Sequence, residues 1–256
     1  MPEPFFRTWP AERPRASLAL VHGLAEHSTR YEHVAARLNS EGFDVRAVDI
    51  RGHGRAEGFP GRVSGLDDWL EDAGALVESV RRTARTDGPV FLLGHSLGAL
   101  ISATYVARNP QVVDGLVLSG TAVLAGTALL AAMSDPEAPG IPPEAVSRDP
   151  GIVRAYMEDP LVFYDRVPPE SNAAALAAAI ELNQSGPLIT LPLLMVHGSA
   201  DLIADVEGAR DLFAQIASAD KELIVYDGLY HEVMNEPERD RVLDDIVAWL
   251  DRHVPG

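Results

Sequence analysis

The chain has 256 residues, 46% of them hydrophobic and 23% charged, and no apolar run approaches the roughly 18 residues that a membrane-spanning helix needs. A formal charge of −17 opposes binding to nucleic acid or to an anionic bilayer, both of which require clustered cations. The absence of cysteine excludes disulfides, thiolate nucleophiles and Cys-based zinc sites. The amino terminus lacks a basic start followed by an apolar run and a small-residue cleavage site, so no secretory signal is read and a cytoplasmic location is expected.

In chain order, short apolar runs alternate with segments of helical period. Strands are predicted over Ser17–Gly23, Phe43–Ile50, Pro89–Gly94, Gly115–Gly120, Pro192–Gly198 and Glu222–Gly228, and helices over Tyr31–Ser40, Leu66–Ala84, Leu97–Arg108, Glu207–Ala219 and Glu238–His253. Several strands are continuously apolar, as strands buried on both faces should be. The alternation predicts an α/β fold, a mostly parallel central sheet with helices on both faces.

One connection is too long. About seventy residues separate Gly120 from Leu191, where a crossover helix needs only about a dozen or two. This segment holds Pro- and acid-rich "SDPEAPGIPPEA" between Ala/Leu-rich "TAVLAGTALLAAM" and "SNAAALAAAIELN". The expected division is therefore a core built from residues 1–120 and 191–256, with 121–190 a short helical cap and a connecting helix.

The chemistry starts at "VFLLGHSLGAL", where Gly94-His95-Ser96-Leu97-Gly98 fits G-x-S-x-G. The pentapeptide alone is weak, but here it ends a predicted strand and opens a predicted helix. Such a turn exposes the serine hydroxyl above the sheet, and small flanking residues let the backbones crowd together. A serine becomes a nucleophile only if a base takes its proton and an acid orients that base. Asp201, after the strand Pro192–Gly198, is the candidate acid, with Asp205 and Asp227 as rivals and a helix-capping role as its alternative. His231, just after the last strand, is the candidate base; of the other seven histidines only His253, near the terminus, also lies beyond that strand. The order Ser96, Asp201, His231 is that of the α/β-hydrolase fold.

Acyl transfer also needs donors aimed at the developing oxyanion. The backbone N–H of Leu97, directly after Ser96, is one candidate, and that of Leu24 in "HGLAEHSTRY" is the second. "DIRGHGRAEG" is read as a structural loop, because it lacks the G-x-x-x-x-G-K-[ST] pattern of a phosphate cradle. No H-E-x-x-H spacing exists among the histidines, so no metal site is expected.

With "HGLAEHSTRYEHVA", "DIRGHGRAEGFPGRV", "LLGHSLGA", "DPLVFYDRVP", "LMVHGSADLI" and "GLYHEVMNEPERDRVLDDIVAWL" in place, the chain resembles the monoacylglycerol lipase and lysophospholipase branch of the α/β-hydrolase superfamily. The resemblance implies a cofactor-independent serine hydrolase that cleaves monoacylglycerols, a small acyl ester, through an acyl-enzyme. Ser96, Asp201 and His231 match the family's triad, and Leu24 and Leu97 its oxyanion-hole positions. Arg30 and Tyr156 match positions that help hold the glycerol end, and His95 lies beside the nucleophile as a third substrate contact. A short-chain esterase or lysophospholipase, and a non-catalytic lipid binder, are the alternatives. Against relatives, Ala25 and Ala56 replace a glycine and a serine, the cap is short, and the leading hairpin is curtailed, so a lost edge strand is expected. Transient contact with a lipid surface through the cap is also implied.

Overall fold

The computed structural model describes residues 3–121, 140–164 and 167–255. Seven strands form one sheet in the order β1-β3-β2-β4-β5-β6-β7: β1 Phe5–Trp9, β2 Ala16–Val21, β3 Phe43–Asp49, β4 Val90–His95, β5 Gly115–Ser119, β6 Leu193–Gly198 and β7 Lys221–Tyr226. All neighbouring pairs are parallel except β1 with β3. The mostly parallel sheet matches the sequence reading. β1, however, is a strand that the reading did not contain. Its residues are half-buried at the sheet edge, so "FFRTW" carries neither the continuous apolar run nor the clean alternation that marks a strand.

The helices are α1 Glu32–Ser40, α2 Leu66–Thr83, α3 Leu97–Arg108, α4 Pro150–Glu158, α5 Pro169–Ser185, α6 Val206–Gln215 and α7 Arg239–Arg252. The period-2 geometry of the strands divides the core between two faces. Leu18, Leu20, Phe91 and Leu93 face α1 and α7, whereas Ala19, Val21 and Leu92 face α2, α3, α5 and α6. Trp69 and Trp249, one on each side, are completely enclosed, and each large apolar side chain so buried contributes roughly 1.5–3 kcal/mol. α6 ends earlier than its predicted span because Ile216 turns extended.

Within the long insertion, α5 is a core element. Ala174, Ala175, Ala178, Ala179 and Leu182 form a small-residue face that packs into the same cluster as α3. In α4, Asp149 caps the helix by accepting from the Gly151 N–H at 2.7 Å, and Pro150 occupies its first turn. The predicted apolar stretch 122–133 lies outside the described residues. Among those described, no helix is long and apolar enough to cross a membrane.

Candidate active site

β4 delivers Ser96 to the carboxyl end of the sheet, and the backbone there is strained. Ser96 has φ 53° and ψ −118°, a left-handed conformation that costs an ordinary L-residue about 1–3 kcal/mol. Serine at this position normally caps the helix that follows. Here its side chain makes no cap hydrogen bond; Oγ instead lies 2.8 Å from His231 Nε2. The flanking glycines make the turn possible by close approach. A Cβ on Gly98 would overlap the carbonyl oxygens of Val21 and His22, and one on Gly94 would overlap Gly98 O.

His231 sits in the loop after β7, and its Nδ1 lies 2.8 Å from Asp201 Oδ2. The Asp201 side chain is fully enclosed. Its other oxygen, Oδ1, accepts the N–H groups of Ile203 at 2.8 Å and Ala204 at 2.9 Å. The loop-capping role and the contact with His231 therefore coexist on one carboxylate. The rival acids are elsewhere: Asp205 caps α6 through the Glu207 N–H, and Asp227 is reached by Ser199 Oγ on the surface. Burial disfavours the charged carboxylate of Asp201, but His231 and the surrounding N–H donors outweigh it and hold the group far below the usual range. Burial likewise opposes a charged His231, and the Asp201 carboxylate reverses this, raising the imidazole above its ordinary value.

The loop after β2 passes beside Ser96. A Cβ built on Gly23 would lie 3.3 Å from Ser96 Cβ. The Leu24 N–H follows in that loop and the Leu97 N–H opens α3; among the described residues neither has an acceptor. Glu26 shapes the loop by accepting the Gly23 N–H and the Tyr31 hydroxyl, each at 2.6 Å. Ala25 holds φ 63° where relatives are expected to carry glycine.

Arg30, His95 and Tyr156 are all drawn close, but as an enclosed set. Arg30 binds Glu26 at 2.5 Å and Glu232 in a two-pronged contact at 2.6 and 2.7 Å, with its guanidinium stacked 4.6 Å from the Tyr156 ring centroid. His95 contacts Ser119 Oγ through Nδ1 at 3.2 Å and packs against the His231 ring at 4.9 Å. Burial and the neighbouring His231 push its pKa down to about 4, so it is neutral.

Sequence reasoning missed Glu232 and His197. Glu232 adjoins His231 yet reads as one more surface acid in a chain with 38 of them. His197 ends a strand and reads as a core histidine; its Nε2 lies 3.2 Å from Asp201 Oδ2.

α4 bridges the two loops of the site. Ahead of it, the Glu232 N–H donates to Val146 O, Ser147 Oγ to Asn235 O, and Arg148 pairs with Glu236. Beyond it, Asp159 meets His27 Nε2 at 3.0 Å and the Phe163 N–H donates to Ala25 O.

The sequence and the fold have known counterparts. A family described as serine aminopeptidase, S33, matches residues 12–238. The chain belongs to that family. Among its α/β-hydrolase relatives, the monoacylglycerol lipase of Mycolicibacterium smegmatis is 41% identical, the alignment covering 96% of this chain and 91% of that protein. The mouse monoglyceride lipase is 32% identical over 98% of this chain and 87% of its own. The crystal structure of Paleococcus ferrophilus monoacylglycerol lipase superposes with a TM-score of 0.87 at 29% identity, covering 98% of this chain and 99% of that one. The S33-family fold thus places this chain among the α/β-hydrolases, as the sequence resemblance implied.

Proposed function

We propose that the protein hydrolyses carboxylic esters, monoacylglycerols foremost, with Ser96 as nucleophile, His231 as general base and acid, and Asp201 as the group that orients His231. The observation that carries this reading is the continuous chain from Ser96 Oγ through His231 to Asp201, with both contacts at 2.8 Å. The kinship with monoacylglycerol lipases supports the choice of substrate.

In the first half-reaction, Ser96 Oγ bonds to the ester carbonyl carbon as its proton passes to His231 Nε2. The oxyanion is received by the N–H groups of Leu24 and Leu97. Collapse breaks the carbon–oxygen bond, and His231 returns the proton to the departing alcohol. Water then enters, gives a proton to His231 and attacks the acyl carbon; the bond from that carbon to Ser96 Oγ breaks, His231 returns the proton to Oγ, and the fatty acid leaves. Asp201, kept ionised by its surroundings, holds the tautomer of His231 with the proton on Nδ1 and stabilises the imidazolium. Arg30 and Tyr156 are assigned the glycerol end of the substrate, and His95 the wall beside the base.

A fluorophosphonate should label Ser96 covalently, and Ser96→Ala should abolish both labelling and turnover. Rates across monoacylglycerols of increasing acyl length, a lysophospholipid and short acyl esters identify the substrate. A folded protein that binds lipid saturably but neither turns over nor labels would refute the reading.

A further inference from the structure

We propose that His197 is a positioning residue for the Asp201–His231 pair, sharing one proton between Ala204 O and Asp201 Oδ2. The inference rests on the role assigned to Asp201 and His231 above. His197 lies at the carboxyl end of β6 and is buried. Its Nε2 is 2.9 Å from Ala204 O and 3.2 Å from Asp201 Oδ2. Both neighbours are acceptors, so Nε2 carries the proton and the tautomer is set. Nδ1 has no partner among the described residues.

The consequence is a closed frame. Ala204 accepts from His197 through its carbonyl and donates to Asp201 Oδ1 through its N–H. Asp201 Oδ2 in turn faces two imidazoles, His197 on one side and His231 Nδ1 at 2.8 Å on the other. The second donor holds the plane of the carboxylate and takes up part of its charge, which limits how strongly Asp201 draws a proton onto His231. His231 is otherwise faced by Ser96, His95, Glu232 and Glu26, none of which contacts Asp201 Oδ2. Without the His197 N–H, the carboxylate loses one fixed support and becomes a stronger partner for imidazolium.

Three replacements separate this role from simple packing. His197→Phe fills the space without a donor. His197→Gln places an amide nitrogen where Nε2 lies, and His197→Asn is too short to reach. With a fluorogenic ester, kcat should fall roughly 10- to 100-fold in the Phe and Asn variants with KM unchanged, because a small misplacement of a reacting group has that effect. The acid limb of kcat/KM should move to higher pH in both, and Gln should restore rate and limb. Equal impairment in Gln and Phe, or a Phe variant with wild-type rate and an unmoved limb, overturns the inference. If Phe does not fold, Asn matching Gln does so. The downfield NMR resonance of the His231 Nδ1 proton provides a readout in the resting protein, independent of turnover: it should shift in Asn and return in Gln. An inactive, unlabelled wild-type protein would refute the proposed function alone.

Discussion

Arg30 and Glu232 meet through two parallel contacts of 2.6 and 2.7 Å, with no more than 10% of either side chain exposed. Arg30 follows the loop that passes beside Ser96, and Glu232 is the neighbour of His231, so the pair fastens the two working loops of the site to each other. Removing Glu232 leaves Arg30 with Glu26 as its remaining carboxylate partner. Glu232→Ala should therefore lower stability by about 1–3 kcal/mol, read from the urea midpoint. Glu232→Gln, which retains a carbonyl acceptor, should fall between that variant and the wild type.

Asp201→Asn preserves shape and leaves an oxygen for the Ile203 and Ala204 N–H groups, so the fold should persist. The amide presents a donor or a weaker acceptor to His231 and stabilises the wrong tautomer. A loss of kcat of about 10⁴-fold is expected, with an unchanged near-ultraviolet dichroism spectrum as the control for folding.

The raised pKa of His231 sets the pH profile. In its proposed role as general base the imidazole must be neutral, and it becomes so only as pH climbs through a value above the ordinary 6.5. The acid limb of kcat/KM should accordingly lie above 6.5, with activity rising through it. Asp201 adds no limb, because its pKa lies far below the working range.

Two enclosed histidines act on stability with the opposite sign. Burial, followed by the charge of a neighbouring histidine, lowers His53 from 6.5 to about 3 and His95 to about 4. Each stabilises the fold above the unfolded value of 6.5, and that contribution is lost as pH falls toward the folded value. Unfolding midpoints should thus decline from pH 6.5 downward. His53→Asn, whose amide can still donate to Arg51 O as Nδ1 does, should make the decline shallower.

Glycine replacement distinguishes close packing from open space. A Cβ on Gly98 would strike two backbone carbonyls that have no room to shift, whereas one on Gly65 meets nothing within 4 Å. Gly98→Ala should cost more than about 3 kcal/mol or prevent folding. Gly65→Ala should cost less than about 1 kcal/mol; thermal melts of the two variants decide.

The local elements were legible because their signals are periodic. β2, β4, β5 and β6 are buried throughout, and their continuous apolar runs announce it. β1 was not legible, since an edge strand paired on one side needs no such run. The strand-to-helix turn around Ser96 was legible from Gly94 and Gly98, whose missing side chains answer to carbonyls only a short distance away in the fold.

The sequence by itself determined which functional groups the protein owns, and their order along the chain: a serine at a tight turn, then an acid and a base after later strands. Only the tertiary structure brought Asp201, rather than Asp205 or Asp227, against His231, and only it joined Arg30 to Glu232 and His197 to Asp201. The reason is physical. Strand and helix patterns arise from neighbours a few residues apart, so they leave a period in the sequence. A hydrogen bond between loops 202 residues apart depends on how the sheet brings its carboxyl ends together, and it leaves no local mark on either partner.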